Sequence, residues 1–141
     1  MIKIGNNLSE FSVYSCQPKT KDELKEIIED RISKEGPKCD LNDIDTSLIT
    51  DMRMMFYGSE FNGDISEWDV SNVKHMKSMF YRSSFTGDIS KWNVSKVKDM
   101  SYMFYESEFN GDISRWKINK NRDVTGMFYG CPIKDEFKPK I

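Results

Sequence analysis

The sequence predicts an α/β repeat solenoid in which each 24-residue unit contributes a short strand and a short helix, with a helical cap at the N-terminal end. Three observations predict it. Tryptophan recurs at Trp68, Trp92 and Trp116, a step of 24 residues, and most neighbours recur with it. On that step DTSLITDMRMMFYGSEFNGDISEW, DVSNVKHMKSMFYRSSFTGDISKW and NVSKVKDMSYMFYESEFNGDISRW align, followed by a decaying KINKNRDVTGMFYGCPIKDEF. A period of this size means stacked supersecondary units, since no single unit can bury its apolar face alone. Within each unit the apolar spacing also changes, as it does where a strand gives way to a helix.

In chain order, residues 1–38 form an N-terminal cap, 39–133 a stack of three full repeats plus a partial one, and 134–141 a C-terminal tail. MIKI and FSVYS suggest short strands. Thr20 with Glu23 fits a capping box, and Leu24, Ile27, Ile28 and Ile32 recur at helical spacing, which predicts an amphipathic helix at about residues 20–35. Gly36-Pro37 stops it. Its polar side carries Lys25, Glu26, Glu29, Asp30 and Lys34, as the outer face of a terminal cap should.

In each repeat, Ile89, Trp92, Val94 and Val97, equivalent to Ile65, Trp68, Val70 and Val73, show leucine-rich-repeat-like spacing with a strand in the middle. Leu41, Ile44, Thr46 and Ile49 are an earlier, imperfect copy. Met100, Met103 and Phe104 then stand at i, i+3 and i+4, predicting one or two helical turns. Phe109 fills the returning loop, and Gly111-Asp112 turns into the next strand. The columns Met55, Met79, Met103, Met127 and Phe56, Phe80, Phe104, Phe128 read as core ladders. Asp64, Asp88 and Asp112 read as turn caps, the common use of Asp after glycine. Tyr57, Tyr81, Tyr105 and Tyr129 have apolar rings and polar tips, so they read as packing that leaves open a second contact edge.

Composition excludes several classes. Of 141 residues 31% are charged and 38% hydrophobic, which suits a thin core with much exposed surface. The net charge of −2 hides a dipole. Residues 1–68 hold 8 Lys and Arg against 14 Asp and Glu, net −6, while residues 69–141 hold 13 against 9, net +4. That is not the uniformly basic surface of a nucleic-acid binder, so nucleic acid is not an expected partner. Cys16, Cys39 and Cys131 are odd in number and widely spaced, so neither a disulfide framework nor a zinc site is expected. No apolar run fits a signal peptide or a membrane span, so a cytoplasmic setting is expected, or a surface or secreted one if the chain is a processed form. His75 is the lone histidine and stands in a column otherwise held by Asp51, Asp99 and Asp123. With no triad, metal cluster or phosphate-cradling loop, neither an enzyme nor a cofactor is expected.

The string N-V-S-x-V-x-x-M-x-x-M-F-Y followed by F-N-G-D-I-S-x-W resembles the repeat of the BspA-like leucine-rich-repeat proteins, the type found in mycoplasma lipoproteins and surface proteins. The likeness covers about residues 40–133. It implies a curved solenoid with a binding role, typically attachment to host proteins, and no catalysis.

Residues shared by every unit serve packing, so function should sit where units differ. Strand residues alternate sides, which places three columns on a concave face: Asp43, Glu67, Lys91, Arg115; then Asp45, Asp69, Asn93, Lys117; then Leu48, Asn72, Lys96, Lys120. Each runs from acidic or neutral to basic. The sequence therefore predicts a non-catalytic protein-interaction module that docks a protein partner on this face, as a stand-alone inhibitor or decoy. A fragment of a bacterial surface adhesin and a head-to-tail self-assembling protein are the alternatives.

Overall fold

The computed structural model describes residues 14–141. The reading of MIKI and most of FSVYS as strands falls outside them. The single α-helix among the described residues, α1, spans Lys21–Glu35. Thr20 Oγ1 accepts the Glu23 N–H at 3.1 Å, while the Glu23 carboxylate reaches back to the Lys19 N–H at 2.8 Å. Gly36, at φ +91°, ends the helix by donating its N–H to the Ile32 carbonyl. Leu24 and Ile28 are buried in the hydrophobic core, each contributing about 1.5–3 kcal/mol.

The repeat register divides the rest into four coils, 40–63, 64–87, 88–111 and 112–135. The expected α/β solenoid, leucine-rich-repeat-like with a strand and a helix per unit, is not what these coils form. The described residues contain no sheet, only isolated parallel bridges: Cys16 to Ile44, Asp40 to Asp64, and the series Asp51, His75, Asp99, Asp123. Beyond α1 the only helical element among the described residues is a 3₁₀ turn at Asp135–Phe137.

Turns satisfy the apolar spacing instead. In the expected strands, the Trp68, Trp92 and Trp116 N–H groups close turns onto the Ile65, Ile89 and Ile113 carbonyls, and Val73 and Val97 close onto Val70 and Val94. An i, i+3 spacing in this segment is therefore the span of a β-turn rather than the alternation of a pleat. The expected helix at Met100–Phe104 fails for a related reason. A helix would send each N–H back four residues. Here alternate N–H groups leave the coil: Met52, Met54, Phe56 and Gly58 donate to the His75, Lys77, Met79 and Tyr81 carbonyls at 2.7–3.0 Å. The intervening Met55, Tyr57 and Ser59 N–H groups close turns onto Met52, Met54 and Phe56. Both series repeat 24 residues on, and again 48 residues on. Two residues per coil are left-handed to allow this path: Met54 and Gly58, Ser78 and Arg82, Tyr102 and Glu106, Gly126 and Gly130.

The corners are side-chain turns. Asp64 and Asp112 each accept the N–H and hydroxyl of the serine two residues on, at 2.6–3.0 Å, and Asp88 accepts the Ser90 N–H. Asp69, Asn93, Asp99 and Asp123 repeat the device at two more corners, and Ser59, Ser83 and Ser107 supply a fourth by accepting the N–H two residues on. The D-x-S recurrence is thus a corner motif. Gly63 is required by close approach, because a Cβ there would lie 1.8 Å from the Cys39 carbonyl oxygen.

Stacked rings fill the core. Phe56, Phe80, Phe104 and Phe128 stack at 5.5–5.7 Å between centroids, and Trp68, Trp92 and Trp116 at 6.4–6.5 Å. Each indole N–H donates to a carbonyl of the preceding coil, Trp68 to Leu41, Trp92 to Ile65 and Trp116 to Ile89, at 2.9–3.1 Å. Met55, Met79, Met103 and Met127 are buried beside the phenylalanines.

Candidate functional site

The concave strand face expected from the sequence has no strands to form it, and the charged columns are carried on turns. Glu67, Asp69, Asn72, Lys91, Asn93, Lys96, Arg115, Lys117 and Lys120 are all exposed, interleaved with the buried Trp and Val columns. Asp43 and Asp45 are not free for a partner. The Asp43 carboxylate accepts Arg31 Nη1 at 2.9 and 3.0 Å and Ser15 Oγ at 2.5 Å. Burial raises the Asp43 carboxyl, but the Ser15 and Arg31 hydrogen bonds outweigh it and hold it below the usual carboxylate range. Asp45 accepts Gln17 Nε2 at 2.9 Å and the Ser47 N–H. These two residues tie the N-terminal segment and α1 to the first coil.

The acid-to-base gradient is therefore carried by Glu67 and Asp69 in the second coil against the cations of the third and fourth. Lys91, Arg115 and Lys117 line one open cleft of about 420 Å³ together with Trp92 and Asn93. Arg115 also borders a neighbouring cleft lined by Thr86, Ser90 and the corner residues Asp88 and Asp112. Hydrogen bonds from Ser90 hold the Asp88 carboxyl below the usual range, and those from Ser114 do the same for Asp112.

A fourth basic column, Lys74, Lys98 and Arg122, follows in the repeat register. Lys74 and Lys98 are exposed and Arg122 is half-buried, its Nη1 donating to the Lys120 carbonyl. Outward alternation after Asn72, Lys96 and Lys120 is the signal for it in the sequence. Among the described residues the ion pairs lie elsewhere, so none of these cations has a carboxylate partner within 4 Å.

The tyrosine column is a surface stack. Tyr57, Tyr81, Tyr105 and Tyr129 lie 4.6–5.0 Å apart, the end members exposed and the inner two half-buried, with the Arg82 guanidinium 5.6 Å from the Tyr81 centroid. Inner ring faces are taken by their neighbours, which leaves edges and hydroxyls outward. Among the described residues no group of three or more His, Cys, Asp or Glu is placed to hold a metal ion, and no helix is long and apolar enough to cross a membrane.

No curated protein and no solved structure matches the chain. Its family is nevertheless plain, because one family model spans most of the helix and all four coils, matching residues 24–139. The chain belongs to the family described as Mycoplasma protein of unknown function, DUF285.

Proposed function

We propose that the chain is a non-catalytic interaction module that docks a protein partner through its turn-built charged face. One observation carries this reading: Lys74, Lys91, Lys96, Lys98, Arg115, Lys117 and Lys120 are exposed and have no carboxylate partner within 4 Å among the described residues, Lys96 donating across the coils only to the neutral Asn72 amide oxygen, and Lys91, Arg115 and Lys117 line one cleft. A solvated face selected only for cross-coil attraction would pair them, since opposite charges on neighbouring units stabilise one another. The partner presents an acidic surface opposite the third and fourth coils and a basic one opposite Glu67 and Asp69, and complementary charge of this kind governs on-rate and specificity. The cysteines at 16, 39 and 131 are free thiols, which suits a reducing, cytoplasmic setting.

The test is affinity capture from the native cell or host, comparing the wild type with the Lys91→Glu/Arg115→Glu/Lys117→Glu variant as bait. A protein retained by the first and lost from the second supports the reading. The same protein on both baits refutes it.

A further inference from the structure

The ladder between coils is polar, and its last rung is unfilled. In the first three coils the alternate N–H groups all point to the next coil, whose carbonyls receive them: Met100, Tyr102, Phe104 and Glu106 donate to Asp123, Thr125, Met127 and Tyr129 at 2.7–2.9 Å. The equivalent donors of the fourth coil are the N–H groups of Val124, Gly126, Phe128 and Gly130, and none has a hydrogen-bond partner among the described residues. The carbonyls of Val124, Gly126 and Phe128 are already used by the Met127, Tyr129 and Cys131 N–H groups in turns. Over residues 124–130 the edge therefore offers donors only, unlike a β-strand edge, which alternates donor and acceptor. Rows of aligned N–H groups attract anionic and acceptor-rich ligands.

The surroundings have the same polarity. Residues 124–141, apart from the charged face, hold three Lys against one Asp and one Glu, net +1, and Lys138 Nζ stands 5.5 Å from the Phe128 centroid while pairing with Asp135 at 3.0 Å. Phe128 is only half-buried and Tyr129 is 63% exposed, so both ring stacks end with a face uncovered by another ring. A second copy is poorly suited to fill this edge. Two donor-only edges have nothing to exchange. The complementary acceptor edge of the first coil, the carbonyls of residues 51, 53, 55 and 57, lies under α1, whose Lys25 Nζ donates to the Met55 carbonyl at 3.0 Å. Stacking head to tail would displace α1 and expose Leu24 and Ile28, which are 0% and 2% exposed.

We infer that the edge formed by Val124, Gly126, Phe128 and Gly130 is a second docking site, which takes an extended acidic peptide segment whose carbonyls and carboxylates accept from the row. This is main-chain augmentation restricted to one hydrogen-bonding sense. It is separate from the charged face and stands whether or not that face binds a partner.

The test is amide NMR of the full chain titrated with an octapeptide of alternating glutamate and valine, with alternating lysine and valine as control. The expected result is shift changes centred on Val124, Gly126, Phe128 and Gly130, with exchange of those amides slowed at least about tenfold at saturation. Lys138→Glu should weaken the acidic peptide at least about threefold, and Lys91→Glu/Arg115→Glu/Lys117→Glu should leave these shifts in place. The inference is overturned if the acidic peptide perturbs only the Lys91, Arg115 and Lys117 face, if the basic peptide binds equally well, or if no amide in the row responds. It is also overturned if sedimentation shows the row protected by self-association instead.

Discussion

Trp92 donates its indole N–H to the Ile65 carbonyl at 3.1 Å, and the same oxygen also accepts the Trp68 main-chain N–H at 3.1 Å. One carbonyl thus closes a turn within its own coil and receives the next coil's tryptophan. Ile89 does the same for Trp92 and Trp116. The bond explains why tryptophan, and no other large apolar residue, recurs on the 24-residue step: its ring fills the core while its single donor reaches a carbonyl one coil away. Trp92→Phe removes that donor while the Ile65 carbonyl keeps the Trp68 N–H, so the lost bond should cost about 0.5–1.5 kcal/mol, whereas Trp92→Ala, which also empties the ring's volume, should cost about 3–5 kcal/mol. Denaturant unfolding of the two variants separates hydrogen bond from packing.

Glycine serves two distinct needs, and two substitutions tell them apart. Gly58 is left-handed at φ +60°, and nothing lies within 4 Å of the position a Cβ would take, so Gly58→Ala should cost only the conformational term, about 1–2 kcal/mol. Gly63→Ala would force a methyl into the Cys39 carbonyl and should cost more than about 3 kcal/mol or abolish folding. Thermal melts of the pair provide the comparison, and equal losses would contradict it.

His75 interrupts a corner column in which Asp51, Asp99 and Asp123 each accept the N–H two residues on. His75→Asp should supply that acceptor to the Lys77 N–H and stabilise the fold by about 0.5–1.5 kcal/mol, measured as a raised denaturation midpoint with an unchanged slope.

The corner carboxylates set the acid limit of the fold. Asn42 and then Ser66 hold Asp64 below the usual carboxylate range, Ser90 holds Asp88, Ser114 holds Asp112, and the Thr125 N–H and hydroxyl hold Asp123. A carboxyl lowered on folding contributes stability that is fully present above its unfolded value, about 3.9, and is lost as pH falls through the lower folded value. Melting temperature should therefore be level from neutral pH to about pH 5 and fall steadily below about pH 4. Asn93 already holds the same kind of corner through the Ser95 N–H. Asp88→Asn should consequently fold and show a shallower acid decline, and an unchanged decline would show that the corners do not set it.

Much of this molecule is written plainly in its sequence. The residues that mark the helix ends, Thr20, Glu23 and Gly36, are the ones that cap α1, and the buried Met, Phe and Trp columns recur on the period. The local path is less legible. Met100, Met103 and Phe104 satisfy a helix and a run of β-turns equally, and the deciding feature is left-handed backbone at Tyr102 and Glu106, residues that carry no glycine signal. The D-x-S triplets point to turns, and corners spaced this closely along a coil leave little room for strands. The charged columns can be aligned from the period alone. The engagement of Asp43 and Asp45 by Arg31, Ser15 and Gln17 cannot, because those contacts join segments outside the repeat.

The most direct test of the charged face is the salt dependence of affinity for the captured partner, measured by calorimetry or interferometry for the wild type and the Lys91→Glu/Arg115→Glu/Lys117→Glu variant. Docking through this face predicts that the wild type loses affinity steadily as salt rises from low to physiological concentration. The variant should bind at least about tenfold more weakly at low salt and with a flatter slope. Equal affinity and equal slope for the two proteins would contradict docking through these cations.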